Sequence, residues 1–207
     1  YTWRGMTQNG EDISVNGGID IEFDSGFYVG TWAASFIVGS EVDYYGGYAG
    51  EMGDISYDIG YIKYDYPQVP NRAGDFEEAY LSLGYGDFGI SFAQGASVAN
   101  DNVEVSYGIG DFGFSYGEHD NVGEYYYLTY GFEFLGLGMT VGYTDFSADT
   151  GGTDEDTFTA INGYYAPEGF PSISVGFETG EDGSEVLDGL ESYFVGLTFE
   201  EVGPGSA

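Results

Sequence analysis

Ten acidic residues fall on one side of a period-two pattern that runs through most of the chain: Asp20, Glu22, Asp43, Glu51, Asp58, Glu78, Glu104, Glu133, Glu178 and Glu200. Alternate residues of a strand point to opposite faces, so these carboxylates share a face wherever their strands pair. Carboxylates arranged around a water-filled passage favour cations and repel anions. The simpler reading is that they only solvate a polar surface. Small residues in the same phase, such as Gly60, Ser82, Gly84, Ser106, Gly108, Gly142 and Gly196, leave room for water beside them.

Arg4 has the phase of Thr2 and Met6, opposite to Trp3. With Trp3 towards lipid, Arg4 is expected on the acidic face, paired with Asp20 or Glu22 of the adjoining strand. Such a pair contributes little if water reaches it; narrowing a passage is the sharper role. The single histidine, His119, stands between Glu118 and Asp120. A hydrolase would need a nucleophile and a base within hydrogen-bond reach and a third group orienting the base. Ser115 is near in sequence, but no local motif supports it, and His119 is read as a solvated loop residue.

The runs Asp154-Glu155-Asp156 and Glu181-Asp182 offer the oxygen ligands that hard cations take. They lack the spacing of a calcium loop, so divalent cations enter only as bridges between these loops and neighbouring anionic groups. The stretch GYGDFG precedes no helical pattern and reads as a hairpin turn, not a nucleotide loop. No catalytic residue, resident metal site or cofactor is expected.

Composition narrows the class further. Thirty-six carboxylates stand against Arg4, Lys63 and Arg72, for a formal charge of −33. Phosphate neutralisation needs many more cations, which excludes nucleic acid as a partner. Disorder is excluded by 21 Tyr and 16 Phe, since disordered chains are poor in aromatics. There is no cysteine and hence no disulfide. No run approaches the eighteen or so apolar residues of a membrane helix. The chain opens inside a strand-like run, YTWRGMT, and reads as a mature or trimmed form.

Fourteen strands are expected, at residues 1–7, 13–23, 27–36, 42–51, 55–64, 77–85, 88–94, 103–109, 112–118, 125–134, 137–146, 157–166, 172–178 and 191–200. Merging one hairpin would give twelve. Tight turns such as Asp24-Ser25-Gly26, Gly86-Asp87 and Gly110-Asp111 alternate with longer polar loops such as YPQVPNRAGDF and TGEDGSEVLDG. Short turns on one rim and long loops on the other describe an outer-membrane barrel. An even count places both termini on the short-turn rim.

The phase opposite the acids is apolar: Leu81, Leu83 and Tyr85; Val103, Val105 and Tyr107; Phe112, Phe114 and Tyr116. Aromatics gather near strand ends, with Tyr85, Phe88, Phe112 and Phe134 by the tight turns and Tyr61, Tyr116, Tyr143 and Phe146 by the long loops. Girdles of this kind mark both membrane interfaces. Segment 27–36, FYVGTWAASF, breaks the pattern with apolar groups on both faces, so one of them must be buried inside the barrel or against a partner. The expectation is a closed antiparallel up-and-down transmembrane β-barrel over residues 1–199, with 200–207 as a tail.

The segments YTWRGMTQNGEDISVNGGIDIEFDSGFYVGTWA and EVDYYGGYAGEMGDISYDIGYIKYDYP resemble a bacterial family, the Gcw_chp or TorF-family porins. The Tyr/Gly-rich strands continue the likeness loosely to Phe199. The usual barrel ends on an aromatic, whereas Phe199 is followed here by EEVGPGSA. The resemblance implies export to the bacterial outer membrane and supplies no catalytic residues. The functional expectation is a passive channel for small solutes, favouring cations. Lipid and lipopolysaccharide surround it, with a second copy or other outer-membrane proteins as neighbours. The alternative is a non-conducting structural or surface-interaction barrel that works through its acidic loops or by oligomerising.

Overall fold

The computed structural model describes residues 2–4, 6–8, 14–36, 39–72, 74–95, 101–134, 137–148, 155–165, 172–181 and 190–198. Two strands of two residues each, β1 (Thr2–Trp3) and β2 (Met6–Thr7), form a small separate hairpin. Ten strands then follow in an antiparallel up-and-down sheet. They are β3 (Ser14–Glu22), β4 (Phe27–Phe36), β5 (Gly39–Met52), β6 (Ile55–Asp65), β7 (Phe76–Tyr85), β8 (Phe88–Gly95), β9 (Asn102–Ile109), β10 (Phe112–His119), β11 (Gly123–Phe134) and β12 (Leu137–Ala148). Three more, β13 (Glu155–Tyr165), β14 (Ser172–Glu181) and β15 (Leu190–Thr198), continue the meander and are described by their backbone alone. A 3-10 turn at Pro70–Arg72 interrupts the link between β6 and β7, and there is no α-helix among the described residues.

Each strand pairs with the next in the chain, and across the tight turns the connection is too short for any other partner. Gly86 and Gly110 take φ of 58° and 59° at the first position of two-residue turns. Side chains with a Cβ avoid that region, and turns of this kind match the twist of the strands they join. Register is then fixed from the turn outward, with Tyr85 opposite Phe88 and Ile109 opposite Phe112.

The two faces separate as the alternation demands. On the convex side Ile19, Ile59, Leu81, Phe92, Val105 and Phe114 are exposed. Near the tight turns aromatic rings pair across strands: Phe27 with Tyr48 at 4.9 Å, Phe88 with Tyr107 at 4.5 Å and Phe112 with Tyr130 at 4.7 Å. Pairs of this kind contribute roughly 0.2–1 kcal/mol each. The sheet curls strongly about the opposite face: the Tyr28 hydroxyl on β4 hydrogen-bonds that of Tyr80 on β7, three strands away.

Four expectations are corrected. Residues 1–7 do not supply a wall strand; β1 and β2 pair only with each other. Their turn falls at Arg4, where φ is 47°, so the segment doubles back instead of running the height of the sheet. The first strand of the wall, β3, therefore descends from the long-loop rim to the Asp24-Ser25-Gly26 turn, and the N-terminal segment lies at that rim, not at the short-turn one. His119 ends β10 and is 2% exposed, because the strand runs one residue further than its apolar alternation shows. Phe146 is buried and not part of an outer girdle; it lies an odd number of residues from the outward-phase Tyr143, and so turns to the concave side.

Candidate functional site

The concave face holds three groups of polar side chains. The uppermost is built around Arg4. Its guanidinium grips Glu78 on β7 with both prongs, Nη1 to Oε1 at 2.8 Å and Nη2 to Oε2 at 2.9 Å. Nη1 also lies 3.4 Å from His119 Nε2 on β10, and the guanidinium carbon sits 4.2 Å from the centre of the Trp3 ring. Trp3 meets Tyr64, Phe76 and His119 edge-on, with ring centres 6.0, 6.0 and 5.3 Å away. The Tyr64 hydroxyl donates to Glu78 Oε2 at 3.2 Å.

Arg4 lies on the acidic face with Glu78 as partner in place of Asp20 or Glu22, though not for the phase reason, which required Trp3 on the other side. Trp3 lies on the same side, against the concave wall, so the outward orientation expected of it is corrected. The Arg4 side chain is 11% exposed and that of Glu78 is 2% exposed, so water screens this pair far less than a surface one. His119 Nδ1 is buried without a hydrogen-bond partner among the described residues, which places the ring in a packing role beside Arg4.

Below this cluster the Tyr125 hydroxyl donates to Glu104 Oε2 at 2.9 Å and Asn102 Oδ1 at 3.2 Å. A cavity of about 260 Å³ lies between, lined among others by Arg4, Glu78, Tyr80, Glu104 and Tyr125. Towards the tight turns a second, larger cavity of about 840 Å³ is lined among others by Asp20, Glu22, Glu51, Asp58, Tyr28 and Tyr45. Tyr28 donates to Asp58 Oδ1 at 2.6 Å, and Tyr45 donates to Asp20. Among the described residues no basic side chain lines this larger chamber.

The remaining candidates are more scattered. Glu133 is exposed on β11 near the tight-turn rim. Asp43 is buried on β5, opposite Trp32 of β4 and Tyr64 of β6. Glu178 is described only by its backbone, on β14 opposite Ala160 and Ser192. Glu200, Asp154 and Asp182 lie outside the described residues, and Glu155, Asp156 and Glu181 are described by backbone alone. The bridging role of these loop acids is thus not located. Among the described residues no group of three or more His, Asp and Glu side chains is arranged to hold a metal ion.

Glu41 is the acid that sequence reasoning missed. It is buried on β5 two residues before Asp43, and extending the period-two pattern back from Asp43 would have found it. Just past β6, Tyr66 hydrogen-bonds Glu41; burial and that carboxylate hold its phenol well above the ordinary tyrosine range. The backbone N–H of Tyr66 donates to Asp75 Oδ1 at 2.9 Å, which steadies the start of the β6–β7 loop.

The sequence model of one family, described as bacterial protein of unknown function (Gcw_chp), matches residues 1–161. No curated protein matches the chain. The chain belongs to the Gcw_chp family.

Proposed function

We propose that this member of the Gcw_chp family is a β-barrel of the bacterial outer membrane that passes small solutes and favours cations. The observation that carries the reading is the larger chamber, where Asp20, Glu22, Glu51 and Asp58 face about 840 Å³ with no basic side chain among the described residues of its walls. Carboxylates so placed attract cations and exclude anions.

The membrane setting rests on which face is apolar. In a water-soluble sandwich the apolar faces turn inward. Here Ile19 is 68% and Phe88 63% exposed on the convex side, while the carboxylates line the concave side. No helix among the described residues is long and apolar enough to cross a membrane; the strands are what would cross. Strands β4 to β7 have 10 to 14 residues, against the ~9–11 that a tilted membrane strand needs.

Closure of the sheet belongs to the same proposal. Its support is the register of β15 beside β3, from Phe194 opposite Ser14 to Leu197 opposite Gly17, running parallel. An up-and-down wall with an odd number of strands must contain one parallel pair, and β3 to β15 make thirteen. The N-terminal hairpin then lies within the lumen, with Arg4 and Trp3 set between Glu78 of β7 and His119 of β10.

Bilayer recordings in asymmetric potassium chloride test the function. The expected result is a small conductance with a reversal potential on the cation side. Anion preference overturns the reading. An absence of conductance that persists after the N-terminal hairpin is undocked favours a closed structural barrel acting through its acidic loops or by oligomerising.

A further inference from the structure

We propose that Glu41 and Asp43 bind a divalent, oxygen-liganded cation of calcium size, under the long-loop rim of the concave face. Both side chains are more than nine-tenths buried, at 4% and 6% exposure. Asp43 Oδ1 has no hydrogen-bond partner among the described residues. Two residues apart on β5, the pair turns to the same face. Register sets Ala34 opposite Glu41, and Trp32 and Tyr64 opposite Asp43. The Tyr66 hydroxyl hydrogen-bonds Glu41.

Burying a carboxylate oxygen without a compensating charge or hydrogen bond is costly, and Asp43 Oδ1 is such an atom, with a second buried carboxylate, Glu41, two residues away on the same face. Of the chain's three cations, Arg4 is held by Glu78. Lys63 lies opposite Tyr44 and Glu77, in the convex phase of the sheet. Arg72 is described only by its backbone. A divalent ion neutralises both carboxylates at once, and oxygen donors of this kind suit calcium better than softer metals. With two carboxylates the affinity falls in the range of weak extracellular sites, about 0.1–1 mM. The site does not depend on conduction and would serve equally in a closed barrel.

Terbium luminescence excited through tyrosine, with calcium as competitor, tests this on the folded full chain in detergent. Tyr64 and Tyr66 are placed to sensitise an ion at Asp43. Wild-type protein should show a saturable, calcium-displaced component that is absent in E41Q and in D43N. It should persist in D54N, whose carboxylate lies in an exposed turn on the opposite rim, and in R72Q. A component unchanged in the E41Q/D43N double variant overturns the proposal. So does one that appears only in R72Q, since Arg72 would then fill the site in the native chain. Should the variants fail to fold, infrared spectra of the wild type decide. A calcium-induced shift of the carboxylate stretch supports the site, and a carboxylic-acid band that persists at saturating calcium overturns it.

Discussion

Arg4 and Glu78, 74 residues apart in sequence, form a two-pronged ion pair on the concave face, with N–O distances of 2.8 and 2.9 Å. The pair fastens the N-terminal hairpin to β7, and the Trp3 ring seals it against Tyr64, Phe76 and His119. Removing one partner of a buried pair leaves the other charge uncompensated, at a cost of about 3–5 kcal/mol. Replacement of Glu78 by alanine should therefore undock the hairpin. Trp3 emission should move to longer wavelength and any conductance should rise, because the hairpin no longer occupies the space beside β7 and β10. A W32F background removes the only other tryptophan and makes the emission change unambiguous. Unchanged emission in E78A would show that ring packing alone holds the hairpin.

Selectivity should follow the larger chamber. The quadruple variant D20N/E22Q/E51Q/D58N keeps side-chain volume and removes four charges from its wall. The cation-to-anion permeability ratio, read from the reversal potential, should fall towards unity while the conductance persists. A control at Asp24, in the exposed turn, should leave the ratio where it was.

Tyr28 ties three strands together, donating to Asp58 of β6 and sharing its hydroxyl with Tyr80 of β7. Tyr28→Phe removes one hydroxyl and leaves Asp58 with one donor fewer. A hydrogen bond to a charged group contributes about 1.5–3 kcal/mol, so unfolding should occur at lower temperature or lower denaturant concentration. Heat-modified gel mobility in detergent measures the shift. Tyr107→Phe on the convex face, which keeps the ring packed on Phe88, serves as the comparison and should leave the transition nearly unmoved.

The fold was legible wherever one local rule sufficed. Leu81 and Leu83 against Ser82 and Gly84 reveal the two faces of β7 from alternation alone, and Gly86-Asp87 announces the turn. Trp32 on the concave face, with Ala34 buried beside it, answers the two-sided apolar pattern of residues 27–36. What stayed hidden depends on tertiary path. TWRGMT has strand-like composition, and nothing local says that it folds back on itself. Glu78 is 74 residues from Arg4, and only the curl of the sheet brings β7 over the hairpin. His119 and Glu41 were missed for a smaller reason: each lies just beyond the last apolar residue that marks its strand, and polar strand ends carry no hydrophobic signal.

The assignment of faces makes the sharpest prediction, because adjacent residues should behave oppositely. Leu81 is exposed on the convex side of β7 and Ser82 is half-buried on the concave side. If the convex face meets lipid, Leu81→Arg places a guanidinium in hydrocarbon near mid-strand. Such a substitution costs about 2–4 kcal/mol at the bilayer midplane. Ser82→Arg puts the same group in the aqueous lumen, beside carboxylates such as Asp58, its register partner on β6. Refolding into phospholipid vesicles under graded urea should thus show a large loss for L81R and a small change for S82R, with S82R also lowering cation preference. In a sheet surrounded by water the order reverses: L81R would be harmless on an exposed surface, and S82R would be the one to disturb packing. Equal stability of wild type and L81R in vesicles would defeat the membrane orientation outright.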